Sequence, residues 1–102
     1  MIRHLVLFNV KESATNEQMA AVVRSAQQQL ARIPGVRNLA ISRAIAPYTE
    51  SPYGHALTME FADEAALAVY MDHPLHQEFR KVFSTVRKDV VSMDFVELGA
   101  SE

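Results

Sequence analysis

Residues Ile2–Val10 have the sequence IRHLVLFNV, a nearly continuous run of large apolar side chains. Successive side chains of a strand point to opposite faces, so Leu5-Val-Leu-Phe8 places apolar groups on both. Such a run is typical of a strand that is buried on both sides. The run is too short to span a bilayer, and it lacks the basic head and the cleavage site of a signal peptide. We therefore predict a buried first strand and no membrane segment.

A helix is predicted next, because Thr15 and Gln18 have the spacing of a capping box. The apolar residues that follow recur on one helical stripe, and Pro34-Gly35 ends the helix. Asp63 caps a second helix, and Pro74 ends or bends that helix before a further helical stretch. The remaining predicted segments are strands over 36–46, 55–61 and 90–98, a loop over 47–54 and a tail over 99–102.

This order of elements, βαββαβ, predicts one α+β domain over residues 1–102 with a ferredoxin-like fold. Its four-stranded antiparallel sheet would carry the helices on one face. The other face cannot be polar, because Ile2–Val10 is apolar on both sides and Val91, Met93 and Phe95 share one face of the last strand. A large exposed apolar sheet is unusual for a monomer, so we predict a homodimer formed through the helix-free sheet face. The residues predicted to be buried are Leu7, Phe8, Val22, Leu30, Leu57, Phe61, Leu67, Phe79 and Phe95.

Composition excludes several classes of function. The chain has 102 residues, 49% of them hydrophobic, and a net charge of −2. It has no block of lysine and arginine, so no nucleic-acid surface is predicted. It has no cysteine, which excludes a disulfide scaffold, thiol catalysis and thiolate metal sites. We expect a cytoplasmic protein, a location with which the absence of cysteine is compatible.

Four segments resemble the stress-responsive A/B barrel domain (Dabb) family, and the match covers nearly the whole chain. They are His4-Leu-Val-Leu-Phe-x-x-Lys11, Ile33-Pro-Gly-Val36, His55-Ala-Leu-Thr-Met-Glu-Phe-x-Asp63 and Tyr70-Met-Asp-His-Pro-Leu-His76. The resemblance implies a dimeric α/β barrel, in which two ferredoxin-like sheets pack together. Most members of the family have no assigned reaction, although one plant branch contains polyketide cyclases and another contains highly stable stress proteins.

The resemblance also implies candidate site residues. In the cyclase branch, a tyrosine and the second histidine of the YxxHPxH segment form the catalytic pair, and Tyr70 and His76 occupy those places here. Histidines that open the first and third strands belong to the pocket in that branch, and His4 and His55 match them.

The residues themselves leave the role of His76 open. It shares a helical face with Phe79 and Phe83, so all three are predicted to point inward and line a pocket. A neutral imidazole there could act as a general base toward an acidic C–H, with Tyr70 holding the carbonyl oxygen. Alternatively, His76 bonds a backbone group and only fixes the loop after Pro74. His73, which precedes that proline, is expected to support the turn.

The other two histidines need not share one site. His4 and His55 begin strands that should pair antiparallel, and the starts of such strands lie at opposite ends. We expect no cofactor and no transition-metal site, because Pro74 distorts the spacing of His73 and His76. A cation held by backbone carbonyls near Pro34-Gly35 would leave no side-chain signature.

Three functions therefore compete. The first is a homodimeric stress or ligand-binding protein of unassigned reaction that takes a small hydrophobic carbonyl compound. The second is a cofactor-free enzyme that resembles polyketide cyclases or isomerases, with His76 as general base. The third is a monooxygenase of the antibiotic-biosynthesis or haem-degrading type, which ranks last because the haem-degrading type relies on a tryptophan and the chain has none. The sequence does not decide whether the protein is an enzyme.

Overall fold

A computed structural model describes residues 1–46 and 48–99 of the chain. Four strands form one antiparallel sheet in the order β2-β3-β1-β4, with three α-helices. This confirms the predicted ferredoxin-like fold. The elements are β1 Ile2–Val10, α1 Asn16–Gln28, a 3-10 turn Leu30–Arg32, β2 Arg37–Arg43, β3 His55–Phe61, α2 Glu64–Asp72, α3 Pro74–Phe83 and β4 Arg87–Val96.

The helices begin where their capping residues predict. Thr15 Oγ1 accepts a hydrogen bond from the Gln18 backbone N–H, and the Gln18 side chain accepts one from the Thr15 N–H. Asp63 caps α2 by accepting from the Ala66 N–H at 2.9 Å. These side chains satisfy backbone donors that have no partner inside the helix.

Pro74 begins α3 as its first residue, where its missing N–H costs nothing. His73 is the residue between α2 and α3, and its Nδ1 accepts from the Leu75 N–H at 3.1 Å. The predicted supporting role of His73 in this turn is therefore confirmed.

The central strand β1 carries the core on one of its faces. Ile2, His4, Val6 and Phe8 alternate along it as buried residues. They pack with Leu57, Met59 and Phe61 of β3 and with buried residues of the helices and turns. The register places His4 opposite Met59 on β3 and opposite Asp94 on β4.

Several predicted details were wrong. Phe95 is 42% exposed, because it lies on the helix-free face of the edge strand β4, and Leu7 and Leu67 are only half-buried. β2 is shorter than predicted and runs from Arg37 to Arg43. β4 begins at Arg87 rather than at the predicted residue 90. Its pairing with β1 extends past a register shift between Phe8 and Val10, so that Val10 pairs with Arg87. Pro47 of the predicted loop and residues 100–102 of the predicted tail lie outside the described residues.

The helix-free face is divided into an apolar half and a polar half. Leu5 and Leu7 of β1 lie opposite Met93 and Val91 of β4. Val91, Met93 and Phe95 are exposed. We call Leu5, Leu7, Val91, Met93 and Phe95 the apolar stripe. On the other half, Glu60 lies 3.5 Å from the Arg3 guanidinium and accepts a hydrogen bond from Asn38. None of the helices in the described ranges is both long and apolar enough to cross a membrane.

Candidate functional site

A cavity of about 240 Å³ lies between the helices and the sheet. Its lining includes five of the six residues that sequence reasoning selected, namely His4, Tyr70, His76, Phe79 and Phe83. α2 contributes Tyr70, α3 contributes His76 and the two phenylalanines, and β1 contributes His4. Three different elements therefore bring two histidines and a tyrosine to one small space.

His76 is held in place by the end of α2. Its Nδ1 donates a hydrogen bond to the Met71 carbonyl oxygen at 3.1 Å. This carbonyl lies in the last turn of α2, where backbone carbonyls lack helical partners. When Nδ1 carries the proton, the neutral ring has its lone pair on Nε2. Within the described residues no hydrogen bond to Nε2 is found, and His76 lines the cavity, so Nε2 is the ring nitrogen available to a bound molecule.

The surroundings of His76 favour the neutral, basic form of the ring. Burial lowers the pKa of His76 below its usual value, and the positive charge of Arg80 lowers it further. The hydrogen bond to the Met71 carbonyl opposes this shift without cancelling it. A histidine near neutral pH in this setting is an unprotonated base.

Tyr70 lies against His76 and presents a neutral phenol. The two rings stack with their centroids 4.3 Å apart and an interplanar angle of 25°. Burial is the main cause that raises the pKa of Tyr70 well above its usual value, so the hydroxyl keeps its proton. In residues 1–46 and 48–99 no protein group forms a hydrogen bond with this hydroxyl. It is therefore available as a donor to a bound molecule.

His4 reaches the cavity from β1 with a carboxylate behind it. Its Nδ1 lies 2.5 Å from Asp94 Oδ1, and its ring meets Tyr70 edge-on with centroids 5.6 Å apart. A carboxylate in this position fixes the orientation of an imidazole. Sequence reasoning missed Asp94. The signal would have been a carboxylate in the last strand directly opposite His4, which requires the strand register to be known.

His55 does not join this group. It lies opposite Phe8, four residues along β1 from His4, or about 13 Å at the usual strand rise. Its ring stacks on Phe8 with centroids 5.3 Å apart, and it lines a second cavity of about 200 Å³ together with Arg43. Burial and the Arg43 charge lower the pKa of His55. His55 Nδ1 is buried and has no hydrogen-bond partner in the described part of the chain.

Two arginines on the edge of the first cavity were not singled out from the sequence. Arg80 follows His76 by one helical turn, and Arg87 opens β4 with its guanidinium 5.8 Å from the Phe83 ring centroid. The sequence indicates which face of its helix Arg80 occupies and which face of its strand Arg87 occupies. It does not indicate that α3 packs over the start of β4. Ser92 and Val90 of β4 complete this side of the cavity.

No cluster of three or more histidine, cysteine, aspartate or glutamate side chains within the described ranges has the geometry to hold a metal ion. His73 and His76 each use Nδ1 in a hydrogen bond to the backbone. These bonds tie the Nδ1 side of each ring to the turn between α2 and α3.

The family comparison covers almost the whole chain. The model of the stress responsive A/B barrel domain matches residues 2–97. A crystal structure of a Dabb family protein with a ferredoxin-like fold from Mesorhizobium loti is 33% identical, with 96% of this chain and 97% of that chain covered and a TM-score of 0.81. No curated protein sequence matches the chain.

Two further solved structures share the fold. A dimeric ferredoxin-like protein of unknown function from Thermobifida fusca is 25% identical, with 94% of this chain and 90% of that chain covered and a TM-score of 0.81. A hydroxynitrile lyase from Passiflora edulis is 17% identical, with 99% and 96% covered and a TM-score of 0.83. The last similarity is one of fold alone.

Proposed function

The chain belongs to the stress responsive A/B barrel domain family, and from that membership and the geometry of its cavity we propose that it is a homodimer whose cavity binds a small apolar carbonyl compound and catalyses proton transfer on it. His76 is the general base, Tyr70 is the hydrogen-bond donor to the carbonyl oxygen, and no cofactor takes part. This class of chemistry covers isomerisation and aldol-type cyclisation. The cavity is smaller than the roughly 300–1,000 Å³ of drug-sized sites, which suits a small ligand.

The observation that carries the proposal is that the two nitrogens of the His76 ring have different roles. Nδ1 donates to the Met71 carbonyl, which leaves the lone pair on Nε2 of a ring that lines the cavity. A C–H bond next to a carbonyl is acidic enough to lose its proton to such a base. The electron pair of that bond passes to the carbonyl oxygen, and the proton moves to Nε2. Tyr70 O–H stabilises the resulting enolate oxygen by a hydrogen bond.

His4 is the positioning residue of the site. Asp94 holds its Nδ1, and its ring packs edge-on against Tyr70. Tyr70 is thus enclosed between His76, His4 and the Phe61 ring, whose centroid is 5.3 Å away. Rigid support of this kind keeps a donor aimed at one point in the cavity. His55 belongs to a separate cavity and has no part in the proposed reaction.

The fold is compatible with catalysis and with pairing. The structural neighbour from Passiflora edulis is a hydroxynitrile lyase, and the one from Thermobifida fusca is described as dimeric. In this chain the exposed apolar stripe on β1 and β4 supports a dimer formed through the helix-free face. The polar half of that face, with Arg3 and Glu60, would lie toward the border of the dimer interface.

A simple assay tests the reaction without knowledge of the natural substrate. Acetophenone and related small aryl ketones are incubated in D2O with the protein, and loss of the α-proton signal is followed by NMR. The proposal predicts exchange that is faster than in buffer and that saturates with ketone. Ketones that bind the cavity without any faster exchange would instead support the second candidate, a ligand-binding protein.

The second candidate has its own supporting observation. The His76–Met71 hydrogen bond joins α3 to α2 and is a structural role in itself. A protein in which that was the only role would still bind apolar carbonyl compounds in the cavity. It would not accelerate proton exchange.

A further inference from the structure

The cavity edge carries two positive charges. Arg80 and Arg87 both line it, and no aspartate or glutamate is among the described residues that do. Neither guanidinium forms a salt bridge within residues 1–46 and 48–99. Asp94 touches a lining residue, but its carboxylate is bonded to His4 Nδ1. An apolar cavity with two free guanidinium groups at its edge is electrostatically suited to an anion.

The charge of Arg80 acts directly on the reacting groups. It lowers the pKa of His76, and it counteracts the burial that raises the pKa of Tyr70. A basic residue in the last turn of a helix is also explained by the helix dipole. Lys81 meets that need equally, since it lies in the same turn, yet it pairs with Glu78 and does not line the cavity. The position of Arg80 therefore has a use that Lys81 does not share.

We propose that the ligand of this cavity is a carbonyl compound with a carboxylate, and that Arg80 and Arg87 bind the carboxylate while His76 faces the reacting carbonyl; this inference rests on the function proposed for the cavity. Guanidinium groups match a carboxylate in geometry and can bind both of its oxygens. Phe79 and Phe83, which line the cavity between His76 and Arg87, suit a flat apolar body.

The spacing along α3 indicates that the carboxylate lies away from His76. Arg80 follows His76 by four residues, which is about 6 Å along a helix axis. Arg87 is farther along the chain, at the level of Phe83. The carboxylate and the reacting carbonyl are therefore at opposite ends of the ligand. A ring with the two groups in para positions has this arrangement.

The test compares an anion with its neutral isostere. 4-Acetylbenzoate and methyl 4-acetylbenzoate are titrated by calorimetry into the wild type, Arg80→Gln, Arg87→Gln and the double variant. Lys81→Gln is the matched control, because it removes the same charge from the neighbouring position of α3, outside the cavity. Circular dichroism checks the fold of each variant. If loss of the Arg87–Phe83 contact unfolds Arg87→Gln and the double variant, Arg80→Gln alone is compared with the wild type.

We expect the wild type to bind the carboxylate about tenfold or more tightly than the ester, as for hydrogen bonds to charged groups. That preference should fall toward unity in Arg80→Gln and the double variant and persist in Lys81→Gln. Equal binding of both probes, or a preference that survives the double variant, overturns the inference. In that case the proposed function is tested separately with Ser92→Phe, which fills the cavity. If the wild type binds the ester and Ser92→Phe does not, the proposed function is retained. Binding of neither probe contradicts both.

Discussion

His76 Nδ1 donates to the Met71 carbonyl oxygen at 3.1 Å, and this bond leaves the opposite nitrogen of a ring that lines the cavity available to a ligand. The structural and the catalytic interpretations of His76 are therefore compatible. The ring has two nitrogens, and each can serve one purpose. The bond that joins α3 to α2 is also the bond that selects the tautomer with a basic Nε2.

Removal of the Tyr70 hydroxyl should separate catalysis from stability. Tyr70→Phe keeps the stacked ring and removes a hydroxyl that has no protein partner in the described residues. We expect a loss of about 10- to 1,000-fold in the exchange rate, as for removal of one oxyanion donor. The melting temperature should change little, because no buried group loses its partner. A large fall in melting temperature with unchanged exchange would assign Tyr70 to the core alone.

The rate should depend on pH through the lowered pKa of His76. Burial and Arg80 lower this pKa below the ordinary value of about 6.5. The base works only when unprotonated, so kcat/KM should rise with pH below about 6.5 and then level off. A pH–rate profile whose acidic limb lies above 7 would contradict the assignment of His76 as the base.

Stability should follow the same titration. Between the lowered pKa of folded His76 and about 6.5, the unfolded chain binds a proton that the folded chain does not, so stability falls as pH falls. The pKa of His55 is also lowered, which adds a decrease of the same sign. Urea unfolding at several pH values should therefore show a shallower pH dependence for His76→Asn than for the wild type. Identical slopes would show that His76 does not titrate differently on folding.

The core can be tested at Phe61, which is fully buried on β3 and packs against Tyr70 and His4. Phe61→Ala should cost about 3–5 kcal/mol of the free energy of unfolding. Val69→Ala is the control, because Val69 is half-exposed on α2 and its truncation should change stability by less than about 0.5 kcal/mol. An unchanged melting curve for Phe61→Ala would contradict the described register of β3.

Pairing of two copies can be tested at Met93, the most exposed residue of the apolar stripe. Wild-type protein should sediment as a dimer at micromolar concentration, with a total buried area on the order of 1,200–2,000 Å². Met93→Glu should shift it to monomer, because the charge would be buried without a partner. Val69→Glu, with similar exposure on a helix, should remain dimeric. A wild-type monomer would contradict the proposed dimer.

The sequence predicted those parts of the fold that depend on local signals. The bounds of β1 and β3, the capping box at Thr15 and the cap at Asp63 all follow from patterns within a few residues. The start of β4 at Arg87 did not follow, because it depends on an irregularity in its pairing with β1. Phe95 was predicted to be buried and is exposed in the single chain, because it lies on the helix-free face through which we predict the dimer to form.

The site was predictable only as far as each residue's own element. The helical phase of His76 indicated that it points inward, and the family resemblance indicated that His4 belongs to the pocket. That Asp94 binds His4 depends on the β1–β4 register, and that Arg80 and Arg87 share one cavity depends on the packing of α3. The separation of His55 from His4 could be predicted, because antiparallel strands begin at opposite ends.

The most direct test compares His76→Asn with His76→Ala in the exchange of ketone α-protons in D2O. Asparagine places an amide N–H near the position of Nδ1, so it can keep the bond to Met71 while it removes the base. His76→Asn should remain folded and lose about 100-fold or more of the exchange rate, as for loss of a general base. His76→Ala should lose the same activity and also stability, because it leaves the Met71 carbonyl without its partner. Wild-type exchange rates in a folded His76→Asn variant would contradict the assignment of His76 as the base.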